Sequence, residues 1–273
     1  MKQLKFLMVA FTLLMGVSFT SCLNDDAGES MYDGIGYVRT VMGSYFVDLY
    51  GNTYHPTMAS VTEMEAQGFK MSGTDLAQIA FKYVEDTPAT KAEGGTFTPQ
   101  DYRIKLVSAI AVDSYSTRYA SSVEDMEAIP ETAPIVTLEP TDNYGQTYKP
   151  WMYGAEMLVL PISWKMENKE EKEEMLKQHT MELVYINDES NESSTELVFY
   201  LRHNKGTDTK TDVFAVRNKA YDVKQIMLDF KGKHGSYPTT IRIKAKIDMD
   251  GAKLPEKYTD YTIENFKWNP SNQ

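Results

Sequence analysis

Cysteine is almost absent from this chain: its 273 residues contain one, Cys22. An intramolecular disulfide and a cysteine-built metal site are thereby excluded. Histidine is scarce too, with His55, His179, His203 and His234 far apart and none at the spacing of a helical zinc site. Neither a Gly-x-Ser-x-Gly elbow nor a glycine-rich phosphate loop occurs, so the usual signals of a serine nucleophile and a nucleotide cradle are missing. Basic residues are outnumbered, 28 Lys and Arg against 39 Asp and Glu, for a formal net charge of −11. Binding to nucleic acid needs clustered Lys and Arg, and this balance argues against it. The apolar run from Phe6 to Phe19 is fourteen residues long, short of the roughly 20 that a membrane helix needs.

That run has a different meaning in its setting. Lys2 and Lys5 precede it and Thr20-Ser21-Cys22 follow it, the three-part layout of an export signal. Phe19-Thr20-Ser21-Cys22 resembles a lipobox, with phenylalanine where Leu or Val is usual. The expectation is a leader over 1–21, cleavage before Cys22, and lipidation of Cys22 by a diacylglyceryl group and an N-acyl chain. Each buried methylene contributes about 0.8 kcal/mol, so two signals of this kind hold a protein on a membrane essentially permanently. A flexible tether over 22–33 carries Asp25 and Asp26 directly after the cysteine. These acids resemble the surface-export signal of lipoproteins in Bacteroides-like bacteria. The expected location is therefore the outer membrane, with the cell surface favoured over the periplasmic face. The leader holds two of the 28 basic residues and none of the 39 acids, which leaves the mature chain more acidic still.

The remainder reads as all-β, because 18 tyrosines and many Val, Ile, Thr and Phe fall in short alternating runs. Tyr45 to Leu49 alternates into a Gly51-Asn52 turn and then Thr53-Tyr54, a hairpin pattern. Ser60-Val61-Thr62-Glu63 has capping-box spacing, which predicts one short helix ahead of Gly68. Strands are expected at Leu76 to Val84 and Tyr102 to Val112. The pattern predicts a small OB-like β-barrel over 34–118. Residues 119–134, rich in Ser, Glu and Pro, read as a connection. Beyond it, strands are expected at Met157 to Trp164, Met181 to Ile186, Leu197 to Arg202, Ile226 to Phe230, Ile241 to Met249 and Tyr261 to Phe266. Glu167 to Gln178, rich in Glu and Lys, reads as a solvated connection. Six strands with one dry face each must close on one another, so 135–273 is expected to form an antiparallel β-sandwich.

The order of these pieces resembles the NigD-like lipoproteins of Bacteroides and relatives. The likeness is carried by the lipobox and acidic tether, by Tyr45-Phe46-Val47-Asp48 running into Gly51-Asn52, and by Tyr102-Arg103-Ile104-Lys105-Leu106. Leu201-Arg202-His203-Asn204, with Gly206 and Asp208 beyond it, completes the set. The resemblance implies an OB-like barrel followed by a β-sandwich and an association with bacteriocin loci; it brings no established reaction.

Candidate binding residues are His203 and Arg202 at a strand end, and Trp151 with Tyr153, whose rings suit stacking on sugars. The bland readings are that the His203 imidazole bonds a backbone group and fixes the turn at Asn204 to Gly206, and that the aromatics are packing. Asp248-Met249-Asp250-Gly251 opens like a calcium loop but lacks the later acidic ligand, so it reads as a strand-ending turn. No catalytic set, metal or cofactor is expected. The leading expectation is a non-enzymatic, membrane-anchored module for a protein or glycan partner. The alternative is an envelope hydrolase or metal-dependent enzyme whose groups converge only in three dimensions, signalled by His203 lying within ligand distance of another histidine or a carboxylate.

Overall fold

The computed structural model describes residues 31–84, 99–170, 172–187, 193 and 195–264, with backbone alone at 172. The expected leader, the lipidation site Cys22 and the acids Asp25 and Asp26 lie outside the described residues. The chain divides into two compact units, with the boundary after Ser114. Among the described residues no helix is long and apolar enough to cross a membrane.

The first unit contains β1 (Gly34–Val41), β2 (Tyr45–Val47), β3 (Thr53–Pro56), α1 (Met58–Ala66), β4 (Leu76–Tyr83) and β5 (Asp101–Ser116). β1 pairs antiparallel with β2 and β4, β2 with β3, and β4 with β5. A parallel β3 to β5 pairing closes the ring. This is the expected five-stranded OB-like barrel, with its helix between the third and fourth strands. Alternate residues point inward, so Val38, Phe46, Tyr54, Ile79, Phe81, Ile104 and Leu106 fill it, joined by Met64 of α1. Glycine is required at 34, where a Cβ would sit 2.5 Å from the Phe81 ring. The helix is capped three residues earlier than the expected Ser60. Thr57 is the N-cap, accepting from the Ser60 amide at 3.4 Å, and Ser60 itself is buried in the first turn.

The second unit contains β6 (Arg118–Ala120), α2 (Val123–Glu127), β7 (Trp151–Tyr153), β8 (Met157–Met166), α3 (Lys172–Gln178), β9 (Thr180–Ile186), β10 (Glu196–Asn204), β11 (Val213–Asp222), α4 (Lys224–His234), β12 (Thr240–Ala245) and β13 (Thr259–Glu264). Strands β6, β9, β10, β12 and β13 form a five-stranded sheet. β8 pairs antiparallel with β7 and β11 to form the facing layer. Leu158, Leu160, Ile162 and Trp164 of β8 meet Leu197, Phe199 and Leu201 of β10 and Ile241 and Ile243 of β12 in one core.

Three local expectations are revised. Ile226 to Phe230 lies within α4, because Ile226, Met227 and Phe230 face the core at helical spacing and Gly235, at φ 79°, ends the helix; a short apolar run cannot distinguish helix from buried strand. The sandwich is not wholly antiparallel: β10 pairs parallel with β12, and β6 with β9, and a parallel pair requires a crossover such as the one containing α4. The stretch 119–134 holds the end of β6 and all of α2, and buries Ala120, Met126 and Ile129 against Val184. Its polar residues cap and line the surface, as when the Ser122 hydroxyl accepts from the Asp125 amide at 3.2 Å.

Candidate functional site

The candidate His203 lies near the end of β10, whose alternation places Leu197, Phe199 and Leu201 in the core. It is 1% exposed and is joined by His179 at 2% and Asp208 at 3%. His203 Nδ1 donates to the Pro134 carbonyl at 2.9 Å, and its Nε2 lies 2.9 Å from His179 Nδ1. His179 Nε2 lies 2.9 Å from Asp208 Oδ2. The same carboxylate accepts the backbone amides of Glu167 and Lys210, each at 2.9 Å. Trp164 flanks both imidazoles, with ring centroids 6.0 and 6.3 Å away.

Burial pushes Asp208 up, but the amides of Lys210 and Glu167 and the His179 bond outweigh it and hold the carboxyl below its usual range. Burial pushes His203 down to about 4, and His179 adds to that depression. Burial pushes His179 below its usual range as well, outweighing the pull of Asp208 toward a charge.

The trio pins four segments of chain, at 134, 179, 203 and 208. The ligand-distance histidine pair that would signal a metal enzyme is present, yet its atoms form a line rather than a cup. Among the described residues no group of three or more His, Cys, Asp or Glu is arranged to hold a metal ion. The turn at Asn204 to Gly206 is not held by the imidazole: the Asn204 side chain accepts the Gly206 amide at 3.1 Å and the Thr132 hydroxyl at 2.9 Å.

Arg202 faces the other way and is also buried. It donates to the Ile129 carbonyl at 3.0 Å and the Tyr258 hydroxyl at 2.9 Å, and pairs with Glu131 at 3.3 Å, which Lys246 also approaches at 3.2 Å. Tyr153 is buried beside half-buried Trp151, with ring centroids 6.2 Å apart. The polar atoms of Arg202 and His203 are engaged inside the fold and Tyr153 is core, which moves the binding expectation off all three. Asp248 accepts the amides of Ala252 and Lys253 at 2.9 and 2.8 Å, the expected strand-ending turn.

A feature overlooked in the sequence is a repeat, one copy in each unit. Asp48-Leu-Tyr-Gly-Asn-Thr-Tyr-His-Pro56 and Asp142-Asn-Tyr-Gly-Gln-Thr-Tyr-Lys-Pro150 share Asp, Tyr, Gly, Thr, Tyr and Pro at matching places. Asp48 Oδ1 accepts the amides of Tyr50 and Asn52 at 2.8 and 2.9 Å, and Oδ2 the Tyr54 hydroxyl at 2.9 Å. Asp142 Oδ1 accepts those of Tyr144 and Gln146 at 2.8 and 3.0 Å, and Oδ2 the Tyr148 hydroxyl at 2.9 Å. Gly51 and Gly145 have φ of 83° and 84°, which only glycine adopts freely. The flanking strands correspond too, Val47 opposite Thr53 and Thr141 opposite Thr147. Burial raises the Tyr54 hydroxyl pKa, as does Asp48, whereas hydrogen bonds from Gln146, Tyr148 and Tyr144 hold Asp142 low against its desolvation. Aligning the chain with itself reveals the repeat; a search for turn signals alone finds only Gly51-Asn52.

No family model and no curated protein matches this chain. Solved structures do. A Bacteroides fragilis protein classed as a lipoprotein is 22% identical, with a TM-score of 0.63 over 86% of this chain and 98% of that one. A Bacteroides vulgatus protein of unknown function is 10% identical, with a TM-score of 0.50 over 85% of this chain and 90% of that one. A NigD-like immunity protein of Bacteroides caccae is 11% identical and a looser match, with a TM-score of 0.44 over 84% of this chain and 91% of that one. The first two likenesses show a shared fold.

Proposed function

We propose that this protein is a lipid-anchored outer-membrane module that recognises a protein or glycan partner and catalyses no reaction. The observation that carries the reading is the fate of the titratable groups: His179, His203 and Asp208 are at most 3% exposed and bonded to one another. Groups so enclosed order the fold and do not touch a solute, whereas general acid–base work needs hydrogen-bond reach to a substrate. In keeping with acylation at Cys22, the similar Bacteroides fragilis protein is classed as a lipoprotein.

The test combines acyl labelling with protease shaving of intact cells, with lysed cells as the control for cleavability. The expected result is label on the wild type, none on Cys22→Ser, and loss of the C-terminal unit from intact cells. Label surviving on Cys22→Ser would overturn the anchor, and protection of the unit would place it on the periplasmic face. Turnover of an envelope substrate that disappears on replacing a single Asp, Glu or His would overturn the non-enzymatic reading.

A further inference from the structure

The two copies of the Asp-anchored hairpin differ in one respect that bears on recognition. Within the shared pattern the aspartate gathers the turn amides, the glycine supplies the positive φ, and the second tyrosine ties the returning strand to the aspartate. The first tyrosine lends its backbone amide to the turn, while its ring stays at the tip. In the first copy the tip is partly covered: Tyr50 is 49% exposed, and a Cβ on Gly51 would meet Pro99 at 3.3 Å. In the second copy it is open: Tyr144 is 81% exposed, and nothing lies within 4 Å of a Cβ built on Gly145.

We propose that the 141–147 tip is a docking site for a neutral glycan, with the Tyr144 ring as the platform for a sugar face. The proposal rests on the reading of this chain as a binding module and names its partner class. Three features of the tip favour a neutral polyhydroxylated ligand. The charge of Asp142 is engaged by two amides and a phenol, so it is not offered to a ligand. The hairpin residues beside Tyr144 are otherwise polar and uncharged, Asn143 and the Thr141 and Thr147 pair whose oxygens lie 2.9 Å apart. These groups exchange hydrogen bonds with sugar hydroxyls, while the C–H bonds of a sugar face suit the electron-rich ring face. A protein partner would be expected to find an apolar patch around its aromatic anchor, whereas the residues next to Tyr144 in the hairpin, Asn143 and Gly145, supply none. The chain's net charge of −11 disfavours anionic polymers. The bonded turn also holds the loop in place before a ligand arrives, which reduces the ordering cost of binding.

The test is retention of the full mature chain, purified from membranes in detergent, in native gels containing amylose, xylan, mannan, cellulose derivatives of neutral charge, or heparin as an anionic control. Retardation by at least one neutral polysaccharide is expected. Tyr144→Ala should weaken it about tenfold or more, roughly the effect of losing one aromatic stacking contact, and Tyr50→Ala should leave it intact. Because Tyr144 is exposed, its replacement leaves the fold unchanged, which circular dichroism confirms. Retardation that survives Tyr144→Ala overturns this site and leaves the binding reading standing. No retardation by any neutral polysaccharide, or retardation by heparin alone, overturns the glycan proposal, and capture of a protein by in-cell crosslinking at Tyr144 would then assign the tip to a protein partner.

Discussion

His203 is neutral near pH 7 because burial outweighs the favourable bond to the Pro134 carbonyl, and that neutrality has a measurable consequence. An unfolded histidine takes up its proton near pH 6.5, while burial holds His203 back to about 4. Between these values the unfolded state binds more protons than the folded one, so stability rises with pH across that window. The contribution is complete above about 6.5 and is lost as the pH falls toward 4. The gap is worth about 3 kcal/mol at most. His203→Gln retains an N–H for the Pro134 carbonyl but cannot titrate. Urea unfolding at pH 7 and pH 4.5 should therefore show a smaller loss of stability in the variant than in the wild type. Equal losses would mean that His203 is not the group responsible. The sequence shows His179 and His203 as isolated residues 24 positions apart; only the antiparallel register of β9 and β10, with Met181 opposite His203, brings their rings together.

At the scale of the element, the repeated hairpin separates a turn that is part of a core from one that is not. Asp48 serves four donors, including the Asn52 side chain at 2.8 Å, and both Asn52 and Tyr54 are buried. Asp142 is held by the amides of Tyr144 and Gln146 and the Tyr148 hydroxyl, in a stretch that is exposed or half-buried throughout 141–149. Removing an acceptor from buried donors costs their desolvation, about 1 to 3 kcal/mol and more for a charged acceptor, whereas exposed donors turn to water. Asp48→Ala is therefore expected to lower stability by about 2–3 kcal/mol and Asp142→Ala by clearly less, read as shifts in urea midpoint. Equal costs would contradict the assignment of the first hairpin to the barrel core. Much of this level was legible: the alternation in Ile241 to Met249 put Ile241, Ile243 and Ala245 inward, although the strand ends at Ala245 and Met249 is exposed. Less legible was α4, whose apolar residues fit two periods, and the parallel partner of β12, since alternation reports which face is buried and is silent about the direction of a neighbour. The polar stretch 119–134 misled for a different reason: composition averages over residues, and the buried Met126 and Ile129 stand among acids.

For the molecule as a whole, the decisive quantity is the balance between an acidic body and the acylation proposed at Cys22. With 39 acids against 28 bases, the polypeptide is repelled by a surface of anionic lipid, so electrostatics contributes nothing to attachment and works weakly against it. Among the described residues no helix supplies a membrane span. If Cys22 carries the acyl chains, they supply anchoring at about 0.8 kcal/mol per buried methylene. The acylated protein should then float with phosphatidylglycerol vesicles in a density gradient and remain there as salt is raised from 0.05 to about 0.5 M, since screening shortens the Debye length and removes repulsion rather than attraction. Cys22→Ser should stay at the bottom of the gradient at every salt concentration. Flotation of that variant at low salt, lost as salt is added, would reveal a basic patch that the overall charge conceals. Flotation that persists at high salt would locate an apolar membrane contact in the folded units, with the exposed Met42 and Met58 of the barrel as the first residues to replace.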